Sequence, residues 1–390
     1  MKILFPIIAL GVVTFVTTYL FLRGWQSFSK IPWLRIAFAT LYLLSFSAFM
    51  LKMFFGDNMD PVVGLWLSRI GFTWFVAVIY LALFALSLDI IRLTNHFTGF
   101  YPAFIRENYQ TVKLILALGG ALTVSGLLIY GNWKFNHPEV RELTVRIDKP
   151  LPEGGLDIVM ASDIHLSTYI NREKFKKYVD LINGQNPDLV MLAGDISDRN
   201  LKPLVEGNIA ELFREIRSEY GIYAVTGNHE FYGGEREAIY GYYRSAGINL
   251  LIDSVARVSI PGGDIMIIGR DDRTNHRREA LSDLVGSIDK TLPLILMDHQ
   301  PAKLAEAEAA GIDLQLSGHT HQGQFWPGSF FVKRMYELSY GYKQRGKTHY
   351  VVSSGLGLWG PEFRIGTVSE LVLIHLCSSS SQKTESVPVQ

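Results

Sequence analysis

The chain has 390 residues, a formal net charge of zero and a hydrophobic content of 48%, and this length allows two domains or one large one. The composition excludes a mainly disordered chain, a collagen-like fibre and a coiled coil. The single cysteine, Cys377, excludes an internal disulfide and a thiolate metal site. The zero net charge hides a split, since residues 1–134 carry a net charge of +6 and residues 135–390 a net charge of −6. Nucleic-acid binding driven by bulk charge is therefore not expected.

Four apolar stretches in the first third of the chain are long enough to cross a hydrocarbon layer of roughly 30 Å. They are uncharged and cover Ile3–Leu22, Ile36–Leu51, Ile70–Leu88 and Leu114–Trp133. The first stretch is not followed by the small residues of a signal-peptide cleavage site. We therefore predict a transmembrane anchor of four helices in residues 1–134. No stretch has an ionisable residue at its centre, which argues against an ion pathway.

Basic residues are concentrated in two of the three loops between these stretches. Arg23, Lys30 and Arg35 follow the first stretch, and Arg92, Arg106 and Lys113 follow the third. The positive-inside rule places these two loops in the cytoplasm. We therefore expect a multi-pass cell-membrane protein whose termini and C-terminal domain lie outside the cytoplasm.

After His137-Pro138 the pattern changes to short strands that alternate with helices. Residues 135–155 form a linker and a first strand, and residues 378–390 are predicted to be a disordered tail. The predicted helices are Arg172–Asn183, Leu204–Arg217 and Glu235–Ser245. The predicted strands are Val140–Ile147, Ile158–Ala161, Leu189–Ala193, Ile222–Thr226, Val255–Ile260, Ile265–Ile268, Leu294–Met297 and Leu314–Leu316.

Five of these strands run directly into loops that contain Asp, Asn or His. Because ligands gather at the carboxyl ends of strands in α/β sheets, we expect the five loops to converge. Oxygen and nitrogen donors without thiolate suit Mn, Fe or Zn better than Ca or Mg. The candidates are too many for one tetrahedral site but enough for two ions bridged by a carboxylate, which suits attack at phosphorus. They are Asp163, His165, Asp195, Asn228, His299, His319 and His321.

The same residues form an ordered set of motifs that resembles the calcineurin-like metallophosphoesterases. The motifs are Asp163-x-His165, Gly194-Asp195, Gly227-Asn228-His229-Glu230, His299 and Gly318-His319-x-His321. The resemblance covers residues 156–370 and implies an α/β domain, residues 156–377, built as a two-sheet β-sandwich flanked by helices. Ser354–Pro361 and Gly323-Gln324 are similar to a membrane-bound bacterial subgroup of phosphodiesterases near the UDP-diacylglucosamine pyrophosphatases.

The resemblance also implies a role for each residue. His229 would donate to the phosphate and protonate the leaving oxygen. Asp198 would either orient His229 or act as a helix cap or turn residue. The first metal would be held by Asp163, His165 and His321, and the second by Asn228, His299 and His319, with Asp195 bridging the two.

Two further segments are candidates for substrate contact. Arg270 and Arg273 lie in an arginine-rich loop that could clamp a phosphate, although a solvated loop of mixed charge is the favoured interpretation. The aromatic and basic stretch Phe325–Lys347 suits contact with anionic lipid headgroups, and the alternative is an ordinary packed loop.

These observations predict a membrane-anchored phosphoesterase that uses two divalent ions, Mn, Fe or Zn. It would hydrolyse a phosphodiester or pyrophosphate by attack of a metal-bridged hydroxide, with lipid-linked molecules among the candidate substrates and membrane lipids as partners. The alternatives are a phosphomonoesterase and a non-catalytic membrane sensor of a phosphorylated ligand. A transporter is disfavoured by the absence of charge at the centre of the spans.

Overall fold

The computed structural model describes residues 4–56 and 59–379. The chain divides into two compact units. The first contains the residues up to Trp133 together with Gly360–Phe363, and the second contains Lys134–Trp359 and the residues from Arg364 onward. The predicted tail lies outside the described residues from position 380.

Apolar helices form the first unit. Helix α3 begins after Asp60, whose carboxylate accepts hydrogen bonds from the backbone N–H groups of Val62 and Val63, and it ends at Gly99 in the left-handed conformation. The helices are α1 (Leu4–Ser27), α2 (Pro32–Phe55), α3 (Pro61–Thr98), α4 (Ala103–Glu107) and α5 (Tyr109–Asn136).

Three of these helices are long and apolar enough to cross a membrane, over Pro32–Phe55, Val62–Thr98 and Tyr109–Asn136. The prediction of four spans is therefore corrected to three for the part of the chain that the structure describes. Most of the predicted first stretch, Ile3–Leu22, lies in α1, which is not among the three candidate spans. Helix α3 continues to Thr98, so Arg92 lies on this helix and not in a loop.

Close packing of α2 against α3 depends on one small residue and on aromatic rings. A Cβ at Gly71 would lie 2.6 Å from the Cα of Phe49, so α3 approaches the backbone of α2 where a side chain has no room. The rings of Phe49 and Phe75 stack with centroids 5.2 Å apart, and Trp74 meets Tyr42 edge to face.

Two six-stranded mixed sheets form the second unit, which confirms the predicted α/β architecture. The order of the first sheet is β1-β12-β2-β3-β4-β5, and the order of the second is β10-β11-β9-β8-β7-β6. The predicted strands all appear, and β5, β10, β11 and β12 are additional. The strands are β1 (Glu139–Ile147), β2 (Leu156–Ala161), β3 (Leu189–Ala193), β4 (Ile222–Val225), β5 (Asn249–Leu250), β6 (Ser254–Ile260), β7 (Gly263–Gly269), β8 (Leu294–Met297), β9 (Leu314–Ser317), β10 (Gly341–Arg345), β11 (Thr348–Val352) and β12 (Glu370–Ser378).

Parallel pairing dominates both sheets and sets where the strands end. Strands β2, β3, β4 and β5 run parallel, as do β7, β8, β9 and β11. Buried side chains from both sheets, including Met160, Met191, Ile267 and Leu316, form one apolar core cluster, as expected for a sandwich.

Helices cover the outer faces of the two sheets. Phe175 and Val179 of α6 belong to the core cluster on the first sheet, and Leu304 and Ala307 of α12 belong to the cluster on the second. These helices and the others of this unit are α6 (Arg172–Asn183), α7 (Lys202–Glu206), α8 (Ile209–Arg214), α9 (Asn228–Tyr232), α10 (Arg236–Ser245), α11 (Leu281–Leu284), α12 (Leu304–Ala310) and α13 (Gly328–Met335).

The prediction of one helix over Leu204–Arg217 is wrong. The chain forms α7 and α8 instead, separated by Gly207 and Asn208. Asn208 adopts a left-handed conformation with φ of 47°, which a continuous helix does not allow. The predicted helix is therefore interrupted at Gly207 and Asn208.

Candidate metal centre

Five strand-end loops bring the predicted metal ligands together. Strands β2, β3 and β4 of one sheet, and β8 and β9 of the other, lead into these loops. Six of the seven predicted ligands belong to groups whose donor atoms lie within 4.8 Å of one another. The groups that contain only predicted ligands are Asp163 with His165 and His321, and Asp195 with His299 and His319.

The first group is built around two histidines that face each other. The Nε2 atoms of His165 and His321 are 3.1 Å apart. His321 Nε2 is also 3.4 Å from Asp163 Oδ1. Two imidazole nitrogens at this distance share either a proton or a cation, so the arrangement suits a metal ion held by neutral histidines.

Asp195 connects the two groups. Its Oδ2 atom lies 3.2 Å from His299 Nε2 and 3.8 Å from His165 Nε2. Asn228 completes the second group, because its Oδ1 atom is 2.8 Å from His319 Nδ1. The central position of Asp195 is the one that a bridging carboxylate requires.

A backbone carbonyl fixes the ring of His299. Its Nδ1–H donates to the carbonyl oxygen of Ala193 at 2.8 Å. This hydrogen bond assigns the proton to Nδ1 and leaves Nε2 with a free lone pair on the side of Asp195. His299 is therefore oriented and held in the tautomer that binds metal.

Backbone strain is concentrated at these ligands. Five of the seven have a positive φ, between 48° and 70°. For residues other than glycine this conformation costs free energy and persists where the surrounding structure requires it, commonly at functional sites. The five are Asp163, His165, Asp195, His319 and His321.

Two motif glycines are required by close approach to carboxylates. A Cβ at Gly227 would lie 2.1 Å from Asp195 Oδ1, and a Cβ at Gly318 would lie 2.2 Å from Asp163 Oδ2. Any larger residue would displace the carboxylate. The glycines in Gly-Asn-His-Glu and Gly-His-Thr-His therefore keep space for ligand side chains.

Burial keeps His165 and His319 neutral, and the central aspartate is charged. Burial lowers the pKa of His165 to about 3 and that of His319 to about 4. Burial opposes the charge of Asp195, but the neighbouring His299 holds the pKa of this carboxyl well below its usual range. Neutral imidazole and ionised carboxylate are the forms that bind a metal ion.

The residues present fit a divalent metal centre. Among the described residues, the buried Nε2 atom of His299, which faces Asp195 Oδ2 at 3.2 Å, has no hydrogen-bond partner. Buried nitrogen atoms without partners are costly, and a bound cation in this cluster would offset part of that cost. The donor set of imidazole, carboxylate and amide matches Mn, Fe or Zn.

His229 lies beside the candidate ligands. Its backbone N–H donates to Asp195 Oδ1 at 2.8 Å, and its Nδ1 atom is 2.7 Å from Asp198 Oδ1. Burial opposes protonation, but the hydrogen bond with Asp198 raises the pKa of His229 above its usual value. A donor atom of His229 also lies within 4.8 Å of those of His165 and Asp195, so a ligand role is geometrically open to it.

Glu230 is a residue whose role the sequence did not reveal, although it belongs to the Gly-Asn-His-Glu motif. Its carboxylate accepts hydrogen bonds from the backbone N–H groups of Ile196, Ser197 and Gly227, at 2.8 to 2.9 Å, and from the hydroxyl of Tyr243. It therefore ties the loop after β3 to the loop after β4. Burial raises the pKa of Glu230 to about 7.

Arg364 was also missed, because no motif contains it. This fully buried side chain donates to the carbonyl oxygen of His321 at 2.8 Å and to those of Ser354, Gly355 and Gly357. Burial lowers its pKa to about 10. Arg364 therefore holds the loop of His321 against the glycine-rich segment before it.

The two predicted substrate-binding arginines lie outside the metal groups. Arg270 is buried, and its guanidinium contacts Asp298 at 3.2 Å, Glu306 at 3.3 Å and the carbonyl of Glu279. Arg273 lines a neighbouring cavity of about 610 Å³. Arg270 is thus engaged by protein groups, and contact of either arginine with substrate stays a prediction.

Aromatic rings surround the histidines. The rings of Tyr232 and Trp359 have centroids 5.6 and 6.1 Å from that of His229, and Tyr336 is 6.2 Å from His319. Tyr232 is 56% exposed and Trp359 is 45% exposed, so both rings are accessible from solvent. Tyr232 was missed in the sequence, although it lies one helical turn after His229 on α9.

The chain is similar in sequence to proteins of one family. Residues 156–323 match the family model described as calcineurin-like phosphoesterase. An uncharacterised metallophosphoesterase of Campylobacter jejuni is 32% identical over 78% of this chain and 82% of its own length. A transmembrane protein with a metallophosphoesterase domain from Danio rerio is 30% identical over 84% of this chain and 76% of its own length. The structure of an NAD nucleotidase from Haemophilus influenzae is 15% identical, with a TM-score of 0.35, over 58% of this chain and 45% of that one.

Proposed function

Because the chain belongs to the calcineurin-like metallophosphoesterase family, we propose that it is a membrane-anchored hydrolase of phosphodiesters or pyrophosphates. The observation that carries the proposal is the convergence of five strand-end loops on Asp195. Membership of this family implies a metal-dependent phosphoester hydrolase. The candidate metal ligands support the use of metal, and the long apolar helices support the membrane anchor. We further propose that the protein prefers diesters and uses two ions. We also propose that it belongs to the membrane-bound subgroup near the UDP-diacylglucosamine pyrophosphatases.

Two bound divalent cations would supply positive charge beside the phosphate and a water molecule of lowered pKa. Asp163, His165 and His321 would hold one ion, Asn228, His299 and His319 the other, and Asp195 would contact both. Two other residues hold the ligand loops in place. Glu230 joins the loops after β3 and β4, and Arg364 fixes the loop that contains His321.

We assign proton transfer to His229. Asp198 accepts from Nδ1–H of this ring, which orients the imidazole and stabilises its charged form. The charged imidazole can donate from Nε2 to a phosphate oxygen or to the leaving oxygen. The exposed rings of Tyr232 and Trp359 lie where they can contact the leaving group of a bound substrate.

A lipid-linked substrate is supported by the surface that begins next to His319. Helix α13 exposes Phe330 (51%), Phe331 (60%) and Met335 (74%), and Lys333 and Arg334 lie in its last turn. Exposed apolar side chains beside basic ones suit contact with an anionic lipid surface. Tyr336, which follows α13, packs near His319, so a lipid bound along this helix would present its headgroup to the metal centre.

The basic residues of the helical unit support an orientation with the second unit outside the cytoplasm. Arg23, Lys30 and Arg35 lie at the ends of α1 and α2, and Arg106 and Lys113 lie on α4 and α5. The positive-inside rule would place these residues in the cytoplasm. With α2, α3 and α5 crossing the membrane, the hydrolase domain, which follows α5, would then be extracytoplasmic.

Hydrolysis by the full chain tests the proposal. The protein would be purified in detergent, stripped of metal with a chelator, and assayed with bis-p-nitrophenyl phosphate and p-nitrophenyl phosphate before and after addition of Mn²⁺. We expect metal-dependent turnover of the diester. Turnover of the monoester alone would make the protein a phosphomonoesterase, and no turnover despite retention of metal would favour a sensor of a phosphorylated ligand.

A paired substrate assay tests the lipid linkage. A p-nitrophenyl phosphodiester of diacylglycerol in vesicles would be compared with the soluble diester, using the full chain and a variant with Phe330→Ser and Phe331→Ser. Loss of the two exposed rings should lower kcat/KM for the lipid substrate by about tenfold and leave the soluble substrate unchanged. Val205→Ser, at another exposed apolar position, serves as the control. Equal losses on both substrates would contradict a lipid-binding role.

A further inference from the structure

The described helices of the first unit line a half-open cavity of about 350 Å³. All five helices contribute to its walls, from Leu20 of α1 to Ala121 of α5. The cavity is independent of the metal centre, since none of its lining residues belongs to the second unit.

Most of the wall is apolar. Leu81, Phe84, Leu88, Leu116 and Ala117 line it, together with aromatic rings from α1 and α2. Such a surface in helices long enough to cross a membrane is suited to an acyl chain. A small soluble anion would leave it without favourable contacts.

Charged side chains line the same cavity. Arg23, Arg92 and Lys113 are cationic, and Asp89 is the carboxylate among the lining residues. Asp89 already pairs with Arg23 and accepts a hydrogen bond from Tyr19 at 2.7 Å. Within residues 4–56 and 59–379, neither Arg92 nor Lys113 forms an ion pair with a carboxylate. The cavity therefore has two cationic groups without a carboxylate partner among the described residues, and the ammonium of Lys113 lies 5.7 Å from the ring centroid of Tyr109.

We infer that this cavity binds one phospholipid with a net negative headgroup. The phosphate would lie against Arg92 and Lys113, and an acyl chain would run along the leucine and phenylalanine side chains. Basic pockets between membrane helices are suited to anionic headgroups, because the phosphate can pair with cations that have no carboxylate partner. A neutral hydrocarbon would leave the two cations unpaired, so the chemistry selects an anionic amphiphile.

Native mass spectrometry of the delipidated full chain tests the inference. Phosphatidylglycerol and phosphatidylcholine with identical acyl chains would be titrated separately. The expected result is one phosphatidylglycerol molecule per chain, bound about tenfold more tightly than phosphatidylcholine or more. Equal affinity for the two lipids would overturn the inference.

Charge variants separate this site from general attraction to the basic surface. Arg92→Gln combined with Lys113→Gln should weaken binding of phosphatidylglycerol about tenfold. Lys30→Gln combined with Arg106→Gln removes the same charge from residues that do not line the cavity, and it should change binding less than about twofold. An equal loss in both pairs would show that surface charge alone attracts the lipid and would overturn the proposed site.

A volume variant keeps every charge and tests the apolar half of the site. Ala117→Phe would fill the cavity beside Leu116, and it should reduce phosphatidylglycerol binding about tenfold with Arg92 and Lys113 intact. Unchanged lipid binding in this variant would contradict the assignment of the acyl chain. Inorganic phosphate at millimolar concentration should not displace the lipid, and displacement would identify a free-anion site instead.

Discussion

The two units of this chain differ in which side chains they expose and which charged groups they bury. Leu41 of α2 is 69% exposed, whereas Leu192 of β3 is 1% exposed. The second unit in turn buries charged groups, among them Asp195 at 2% and Arg364 at 0% exposure. The surface of the first unit suits a hydrocarbon environment, in which an exposed leucine has no free-energy cost. The second unit suits water, and the charged groups that it buries need hydrogen-bond or ion-pair partners. The same substitution should therefore have different consequences in the two units.

The largest expected difference concerns buried and exposed carboxylates. Asp195→Asn removes the charge at the centre of the candidate ligands, so metal-dependent hydrolysis by the full chain should fall by at least about 10³-fold. Asp60→Asn in the helical unit should leave hydrolysis unchanged, because asparagine also caps a helix. Steady-state kinetics with the soluble diester measures both. Similar losses in the two variants would contradict a special role for Asp195.

Replacement of His229 gives the next comparison. His229→Ala should lower kcat about 10²-fold or more, because the proton donor beside the phosphate is lost. Asp198→Asn should have a smaller effect of the same kind, since the ring of His229 remains. His96→Ala, on α3, is the control in the helical unit and should not alter kcat. If the His229→Ala variant kept the wild-type kcat, the proposed role of His229 in proton transfer would be contradicted.

Arg364 tests the cost of a buried charge. Arg364→Met leaves the carbonyl groups of His321, Ser354, Gly355 and Gly357 without their donor. The free energy of unfolding should fall by about 3–5 kcal/mol. Thermal unfolding of the full chain in detergent, followed by near-ultraviolet circular dichroism, would report this change.

Arg69 provides the control for Arg364. Its side chain is about half exposed, and its nearest carboxylate, Glu362, is 4.0 Å away. Arg69→Met should change stability by about 0.5 kcal/mol or less. If Arg69→Met lowered the free energy of unfolding as much as Arg364→Met, the exposure of Arg69 would not explain its expected small contribution to stability.

The last comparison concerns Leu192 and Leu41. Leu192→Ala should destabilise the second unit by about 2–5 kcal/mol through a cavity in its core. Leu41→Ala should change stability by about 0.5 kcal/mol or less. Equal destabilisation would show that Leu41 is buried by another group in the membrane, and thermal unfolding measures both variants.

Much of the hydrolase domain could be predicted from short segments of sequence. The strands β2, β3, β4, β8 and β9 are buried apolar runs that end in Asp, Asn or His, so both the strand and the following ligand are visible locally. The helix over Leu204–Arg217 could not be predicted correctly, because the left-handed conformation of Asn208 interrupts an apolar pattern that is otherwise helical. The spans were predicted from apolar length alone, which located three helices but not the extent of α3.

The candidate ligands and the apolar helices can be identified from the amino-acid sequence, since strand ends, motif spacing and hydrophobic length are local properties. The polar contacts around the candidate ligands and helices depend instead on the tertiary structure. The engagement of Arg270 by Asp298, the network of Glu230 across two loops and the carbonyl cluster around Arg364 join residues from separate segments. The cavity between the helices likewise brings Arg92 and Lys113 together from different helices. Such contacts depend on how the elements pack, because burial and distance decide which polar groups are partnered.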